Sequence, residues 1–279
     1  MKIAFFGTSE FGVPTLKMLH EKLGVELVFT GVAKPANRGQ KLQNTPIYSE
    51  AQSLGISQIH TPQKLLTQHT ELLKDIDYAI VVAYGLILPE FILQAVKEKC
   101  LNIHPSSLPL FRGAAPIERT LEAGHTETEI CVIEMTKALD AGNILAKQHY
   151  NIAENENSII LHEKFAKIGA ELVCGLLENA CKNALNIVQN HEEATYAKKI
   201  LKSELELSME STLPASVLLN KIRAFASYGY CFIIQNGKRI KIIEAIFSPQ
   251  KLTEFDIACQ YGFVSPKIIR PEGKGDIAL

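Results

Sequence analysis

The chain has 279 residues, of which 47% are hydrophobic and 21% are charged. This balance excludes an intrinsically disordered protein and predicts a sizeable core, in one large domain or in two unequal ones. The formal net charge of −1 provides no overall attraction to phosphate groups. Contacts with a nucleic acid would therefore have to come from local basic patches.

The cysteines and the N-terminus narrow the class of protein further. None of the six cysteines forms the close pair that zinc and redox motifs need, so we predict reduced, buried thiols and no metal site. No segment approaches the roughly 20 apolar residues that span a bilayer, and Glu10 and Gly12 interrupt the short apolar run at the start. We therefore expect a cytoplasmic protein.

Short apolar runs alternate with helical patterns through the first two-thirds of the chain. This alternation is typical of crossover units that build a mostly parallel sheet. Strands are predicted at 1–6, 25–32, 78–83 and 99–104, with a helix at 15–22. A strand at 130–135 is predicted to be antiparallel or to lie at an edge. The pattern indicates an α/β fold with a doubly wound, mostly parallel sheet.

The last third of the chain has a different character. Apolar residues recur at helical spacing over 158–184, whereas 186–206 is polar and typical of a linker. A short helix is predicted at 213–225, followed by half-exposed strands at 230–234, 239–246 and 263–269. We therefore predict an N-terminal domain at 1–188, a linker at 189–206 and a β-rich domain at 207–279.

The densest cluster of candidate catalytic residues follows a buried strand. Asn102 and His104 are two residues apart, so along a strand they point to the same face. Ligands of open α/β sheets bind at the carboxyl ends of the strands. An imidazole can remove a proton from an attacking amine while an amide stabilises the oxyanion of a carbonyl group, and Asp140 is the carboxylate that we select to orient the imidazole. Each residue alone also fits a structural role, as a cap, a core histidine or the start of a turn.

Five segments carry a resemblance to a known family. They are VVAYGLILP at 81–89, NIHPSSLPLFRGAAPI at 102–117, LDAGNIL at 139–145, TYAKKI at 195–200 and KIRAF at 221–225. In order and spacing the chain resembles the folate-dependent formyltransferases, most closely those that act on methionyl-tRNA. The resemblance implies a Rossmann-like formyltransferase domain followed by a smaller, OB-like C-terminal β-barrel that docks tRNA.

The resemblance also implies a set of site residues. It assigns the catalytic triad to Asn102, His104 and Asp140, and it names 10-formyltetrahydrofolate as the co-substrate. The folate contacts that it implies are Leu86, Ile87, Leu88, Ser106, Ser107, Leu108, Pro109, Ala138 and Leu139. An apolar wall with a few backbone polar groups suits a flat heterocycle, although residues 86–88 could equally belong to the core.

The acceptor implied by the resemblance is the amino group of methionine on initiator tRNA. Arg112 and the four residues after it favour this acceptor. The loop that contains Lys34, Arg38 and Lys41 has no acidic residue and resembles the basic loop with which the family grips the acceptor stem. Residues 198–241 contain eight Lys or Arg and three Glu, so both regions are predicted to contact phosphates. A monomer is expected.

Three other functions are alternatives to this one. An amino-sugar nucleotide N-formyltransferase would share the triad but would be indifferent to the basic loop. A tRNA-binding or folate-binding protein without catalysis would not need the triad. A nicotinamide-dependent dehydrogenase is disfavoured because residues 6–12 lack the glycine spacing that brings a pyrophosphate to a helix N-terminus.

Overall fold

The computed structural model of the chain describes residues 1–36 and 41–279. Contacts divide these residues into two compact units, each assembled from several segments. The first unit contains Met1–Arg112, Glu129–His149 and Glu163–Thr195. The second unit contains Gly113–Thr128, Tyr150–His162 and Tyr196–Leu279.

The strands in chain order are β1 (Ile3–Gly7), β2 (Leu27–Phe29), β3 (Lys34–Ala36), β4 (Lys41–Gln43), β5 (Gln58–His60), β6 (Tyr78–Val82), β7 (Lys99–His104), β8 (Arg112–Gly113), β9 (Glu127–Glu134), β10 (Ile144–Asn151), β11 (Tyr196–Ala197), β12 (Glu210–Pro214), β13 (Phe232–Gln235), β14 (Lys238–Ser248), β15 (Ile257–Gln260), β16 (Gly262–Pro271) and β17 (Ile277–Ala278). The α-helices are α1 (Val13–Leu23), α2 (Pro46–Ser53), α3 (Thr70–Leu73), α4 (Glu90–Leu93), α5 (Pro116–Glu122), α6 (Ser158–Glu178) and α7 (Ala215–Ala224). In the described parts of the chain, no helix is both long enough and apolar enough to cross a membrane.

A seven-stranded sheet in the order β10-β9-β7-β6-β1-β2-β5 forms the centre of the first unit. The five strands from β7 to β5 run parallel, and β9 pairs with β7 in the antiparallel direction. Both β1 and β6 are buried along their whole length, as expected for central parallel strands made of apolar residues. The predicted α/β fold is therefore confirmed, and so is the antiparallel direction of the strand near 130.

The core on one side of this sheet is built around aromatic rings. Phe6 stacks on Phe29 with ring centroids 4.5 Å apart, and Tyr84 meets Phe6 edge-on at 5.4 Å. Phe6 and Phe29 lie in neighbouring parallel strands at paired positions. These contacts fix β1 and β2 against the chain that leaves the carboxyl end of β6, where the first of the predicted folate-binding segments begins.

Several local predictions need correction. The long helix ends at Glu178 rather than at residue 184, since Ala180 and Cys181 adopt positive φ angles of 48° and 56°. The polar stretch at 186–206 contains two short 3-10 helices and β11, and Gln189 within it is buried. The polar composition predicts a linker there. A single buried side chain that is held by hydrogen bonds, such as Gln189, leaves no periodic pattern in the sequence that would indicate its burial.

The second unit contains a six-stranded sheet with the path β12-β15-β16-β14-β13, in which β17 pairs with β16. The sheet curls until its ends meet, because Glu206 forms a bridge with Phe232 of β13 and the Leu207 amide donates to the Phe232 carbonyl. The same segment then continues into β12 at the other end of the path. This geometry confirms the predicted small barrel-like C-terminal domain. Helix α7 contributes Leu218 and Ile222 to its buried interior.

One tight connection in the first unit joins β9 to β10. The Glu134 amide donates to the Asn143 carbonyl at 3.0 Å, which closes the turn formed by residues 136–142. Gly142 ends this turn so close to β9 that a Cβ atom there would overlap the carbonyl oxygen of Glu134. Only glycine permits this approach of backbone to backbone.

Replacing Gly142 by alanine is expected to lower the free energy of unfolding by about 1–3 kcal/mol, because the added methyl group must displace backbone. Denaturant unfolding of the purified variant measures this change. The control is Gly175→Ala in α6, where a Cβ meets nothing within 4 Å and where alanine should raise stability by about 0.5–1 kcal/mol. Wild-type stability of Gly142→Ala would contradict the account of this turn.

Candidate active site

Two of the predicted catalytic residues lie at the carboxyl end of β7. Asn102 and His104 stand at alternate positions of this strand, which lies between β6 and β9. Their side chains therefore project to the same side of the sheet. The third residue, Asp140, lies in the turn between β9 and β10 with a φ of 48°. Because β9 runs antiparallel to β7 and its last residue, Glu134, pairs with Leu101 near the start of β7, the turn must reach back along β7 to place Asp140 beside Asn102 and His104.

The carboxylate of Asp140 lies beside both β7 side chains. Asn102 Nδ2 donates to Asp140 Oδ1 at 3.4 Å, and His104 Nδ1 lies 3.6 Å from Asp140 Oδ2. The side chains of His104 and Asp140 are 4% and 13% exposed, so water screens their interaction poorly. The structure thus brings together the amide, the imidazole and the carboxylate that were selected from the sequence.

The second ring nitrogen of His104 has a partner of its own. Nε2 lies 2.9 Å from the carbonyl oxygen of Phe111. A carbonyl oxygen only accepts hydrogen bonds, so Nε2 must carry a proton and donate it. In the neutral ring the other nitrogen, Nδ1, then carries the lone pair and faces the Asp140 side. The sequence cannot indicate this contact, because the partner is a backbone carbonyl group, which every residue has. Phe111, which provides it, has a φ of 59°.

Two more side chains that the sequence analysis did not assign to the site hold the Asp140 turn. Gln189 Nε2 donates to the carbonyl oxygens of Asp140, at 2.8 Å, and of Gly142, at 2.7 Å. Gln189 Oε1 accepts from Arg112 Nε at 3.1 Å and from Arg112 Nη2 at 2.6 Å. Arg112 and Gln189 are only 3% and 5% exposed. Arg112 belonged to a recognised motif, but the motif was interpreted only as a sign of the acceptor.

The predicted folate-contact residues at 86–88 divide between core and surface. Leu88 is buried in a hydrophobic core cluster, and Leu86 packs against that cluster. The Ile87 side chain, in contrast, is 92% exposed. The interpretation of this segment as core therefore holds for Leu88, whereas Ile87 presents an apolar surface to the solvent.

A second exposed apolar surface lies on the turn that carries Asp140. Leu139 is 60% exposed, and Ala138 beside it is also exposed. The turn lies next to the start of α4, since Lys137 Nζ is 3.6 Å from Glu90 Oε2. The two segments that the resemblance assigned to the pterin ring are thus neighbours, and each presents a large apolar side chain.

The loop after β7 is held largely by its own side chains. Ser106 Oγ donates to the Leu110 carbonyl at 2.7 Å, and Leu108 packs with Cys131, Ile133 and Ile144. Ser107 and Pro109 are partly exposed, and the Leu108–Pro109 peptide is cis. Among these predicted folate contacts, Ser106 and Leu108 therefore have structural partners for their side chains.

The predicted tRNA-binding residues lie on and between two short strands. Strands β3 and β4 pair in the antiparallel direction, and Lys34 stands opposite Gln43. The Lys34 side chain is exposed, and Lys41 begins β4. Arg38 lies outside the described residues. Over residues 1–36 and 41–279, no group of three or more His, Cys, Asp or Glu side chains is arranged to hold a metal ion.

The arrangement around His104 suits proton transfer during attack on a carbonyl group. It combines a titratable ring of fixed tautomer, a carboxylate beside the ring nitrogen that can change its protonation, and an amide donor on the same side of the strand. These are the elements of general acid–base catalysis with an oxyanion donor. Acyl transfer to an amine can use all of them.

Comparisons with known proteins agree with this chemistry. The sequence profile of the family described as Formyl transferase matches residues 1–176. A methionyl-tRNA formyltransferase of Sulfurihydrogenibium sp. (strain YO3AOP1) is 36% identical over 289 residues, covering 100% of this chain and 88% of the relative.

Solved structures share the fold at lower identity. A methionyl-tRNA formyltransferase from Clostridium thermocellum superimposes with a TM-score of 0.63 at 18% identity, covering 99% of this chain and 100% of that chain. A sugar 3N-formyl transferase superimposes with a TM-score of 0.68, also at 18% identity, covering 99% of both chains. The structural likeness does not separate these acceptors, but the sequence identity extends over the full length. The chain therefore belongs to the formyltransferase family and, within it, to the methionyl-tRNA formyltransferases.

Proposed function

We propose that the chain transfers the formyl group of 10-formyltetrahydrofolate to the amino group of methionine on initiator tRNA, which yields N-formylmethionyl-tRNA for translation initiation. One observation carries the proposal: the Asp140 carboxylate lies 3.4 Å from Asn102 Nδ2 and 3.6 Å from His104 Nδ1, at the carboxyl end of the sheet. The relative that is similar over the full length of this chain is named a methionyl-tRNA formyltransferase, which supports the proposal.

In the proposed reaction, His104 acts through Nδ1. Because Nε2 donates to the Phe111 carbonyl, the neutral ring has its lone pair on Nδ1 and can take the proton that leaves the attacking methionine nitrogen. Asp140 then stabilises the positive charge on the imidazole. The same proton can pass from Nδ1 to the folate nitrogen as its bond to the formyl carbon breaks, so the enzyme ends each cycle in its initial state.

Asn102 has a second task in this proposal. Its amide nitrogen has two N–H groups, of which one points to Asp140 Oδ1. We assign the other to the formyl oxygen, where negative charge develops as the amine attacks. Donors that are already in place for such a charge are worth about 10²–10³ in turnover. The chemistry uses neither a covalent enzyme intermediate nor a metal.

The residues beside the triad fit the folate. Ile87 and Leu139 are the large exposed apolar side chains of two neighbouring segments, and apolar walls with a few polar groups are typical of sites for flat heterocycles. In the proposal, backbone groups near Leu86–Leu88 and Ala138–Leu139 orient the pterin ring. Ser106, Ser107, Leu108 and Pro109 line the path of the remaining folate, with Ser106 and Leu108 also shaping the loop.

The acceptor end of the proposal rests on positive charge. Lys34 is exposed on a hairpin whose residues 34–43 include no acid, and positive side chains in such a place favour a phosphate backbone. The second unit also has a positive side chain for this purpose: the Arg239 guanidinium, which lies 4.2 Å from the centre of the Phe232 ring. We propose that residues 1–188 carry the catalytic triad, that 189–206 connect the two parts and also contribute Gln189 to the support of the triad, and that 207–279 dock the tRNA, in a monomer that works in the cytoplasm.

The proposed function is tested by offering purified protein and 10-formyltetrahydrofolate three acceptors: methionyl initiator tRNA, methionyl elongator tRNA and an amino-sugar nucleotide. We expect formylation of the initiator tRNA, with strong preference over the other two. His104→Ala should reduce kcat about 10²–10⁴-fold, since general acid–base catalysis has this magnitude, while folate affinity measured by calorimetry stays nearly unchanged.

His149→Ala provides the matched control, because this histidine is exposed on β10. It should retain wild-type kcat. Formylation of the amino-sugar nucleotide alone would overturn the proposed acceptor. Near-normal turnover by His104→Ala would remove His104 from the mechanism.

The role of the basic hairpin has a separate test. Replacing Lys34, Arg38 and Lys41 together by alanine should raise KM for initiator tRNA about tenfold or more, while kcat changes little. The negative slope of log(kcat/KM) against log[salt] should become shallower by roughly two to three, since each lost phosphate contact removes about 0.9 from its magnitude. A matched triple variant at the exposed lysines Lys17, Lys64 and Lys167 should change neither. Equal effects of the two triple variants would contradict the assignment.

A further inference from the structure

We propose that Gln189, oriented by Arg112, is the positioning residue that holds the Asp140 carboxylate at the His104 ring. Neither side chain needs to touch the folate or the methionine for this role. The inference deepens the proposed function and rests on it for its kinetic consequences. Its geometric part stands on contacts within the first unit alone.

The amide of Gln189 bonds the backbone on both sides of the Asp140 turn. One nitrogen, Nε2, donates to the Asp140 carbonyl at 2.8 Å and to the Gly142 carbonyl at 2.7 Å. Both amide protons are thereby used on the residue that carries the carboxylate and on the glycine that ends the turn. Because Asp140 has a φ of 48°, a conformation that non-glycine residues rarely adopt, the turn needs such external support.

Arg112 decides which way the Gln189 amide points. Its Nε and Nη2 both donate to Gln189 Oε1, at 3.1 and 2.6 Å. A guanidinium group has only donors, so the amide oxygen must face Arg112 and the amide nitrogen must face the turn. Arg112 Nη2 also lies 3.1 Å from His191 Nδ1. With the side chains of Arg112 and Gln189 buried, an incorrect orientation would leave polar groups unsatisfied in the interior, at a high cost.

The same short segment, residues 189–195, also fixes the partner of His104. Thr195 Oγ1 accepts from the Phe111 amide at 2.8 Å, and the Arg112 amide donates to the Thr195 carbonyl at 2.9 Å. The Phe111 carbonyl is the group that lies 2.9 Å from His104 Nε2. Gln189 at one end of the segment therefore supports Asp140, and Thr195 at the other end supports the group that sets the His104 tautomer.

This arrangement has a kinetic signature. Loss of the Gln189 amide frees the Asp140 turn, and the carboxylate then spends less time beside Nδ1. Removal of a group that orients a metal ligand typically costs about 10–100-fold in activity, and we expect a loss of the same order when the support of the Asp140 carboxylate is removed. The loss should appear in kcat, while KM for folate and for tRNA stays within about twofold, because in this inference Gln189 acts through Asp140 and not on the substrates.

The first test compares Gln189→Ala with Gln148→Ala, which removes an exposed amide of β10 outside the 189–195 segment. Gln189→Ala should lower kcat about 10–100-fold, and Gln148→Ala should leave it unchanged. Gln189→Glu preserves the acceptor for Arg112 but places oxygen against two carbonyl oxygens, so it should be as impaired as Gln189→Ala. Should Gln189→Ala fail to fold, Arg112→Lys provides the same test, with a smaller fall in kcat.

A double-variant cycle separates positioning from general destabilisation. If Gln189 acts through Asp140, Gln189→Ala should cost little further kcat in an Asp140→Asn background, because coupled residues are not additive. A full additional loss in that background would overturn the inference. So would wild-type kcat in Gln189→Ala.

A readout without turnover makes the inference independent of the substrate. In protein labelled with ¹⁵N-histidine, the His104 ring resonances, identified by their absence in His104→Asn, should move in Gln189→Ala and stay in place in Gln148→Ala. Unchanged His104 resonances in Gln189→Ala would overturn the positioning role. Absence of formyl transfer by the wild-type protein would instead overturn the proposed function, and the resonances would still decide the role of Gln189.

Discussion

The pairing of a carboxylate from a turn with an imidazole from a strand end is the interaction on which the site depends. It exists because β9 runs antiparallel along β7 and then reverses within a few residues. Gly142 permits that reversal by passing against the Glu134 backbone, where no side chain fits. The turn thereby delivers Asp140 to within 3.6 Å of His104 Nδ1, although the two residues lie far apart in the chain.

Such a pair is stable only when its neighbours are satisfied. The ring, the carboxylate, the guanidinium of Arg112 and the amide of Gln189 all lie in a poorly hydrated region, where an unpaired polar group costs about 1–3 kcal/mol. Each has hydrogen-bonding partners at 2.6–3.4 Å. The hydrogen bonds of this network pair donors with acceptors. The backbone therefore fixes the positions of the Asp140 and His104 side chains through only a few other side chains. The fold thus provides a rigid frame for the acid–base chemistry that we propose.

The sequence predicted the parts of this site that depend on regular periodicity. Alternation along a buried strand placed Asn102 and His104 on one face, and an apolar run predicted the parallel strand that carries them. Asp140 could be chosen because a glycine-containing turn follows a strand.

The Phe111 carbonyl and Gln189 could not be predicted, since a backbone group has no letter of its own and a glutamine in a polar stretch is indistinguishable from a solvated one. For the same reason the polar composition predicts a linker at 189–206, although Gln189 donates to the Asp140 carbonyl and Thr195 accepts from the Phe111 amide. The second unit was predicted well where strands alternate, and β12 and β15 were missed because they are short and irregular.

The central claim, that Asn102, His104 and Asp140 act together on one carbon, is tested most directly by a crystal structure with a stable 10-formyl folate analogue. We expect the formyl oxygen to lie about 2.6–3.2 Å from Asn102 Nδ2, within hydrogen-bonding reach. We also expect His104 Nδ1 to face the formyl carbon from the side on which an amine would attack, with Ile87 and Leu139 against the pterin ring. A formyl group bound away from β7, with neither Asn102 nor His104 within reach of it directly or through one water molecule, would contradict the account.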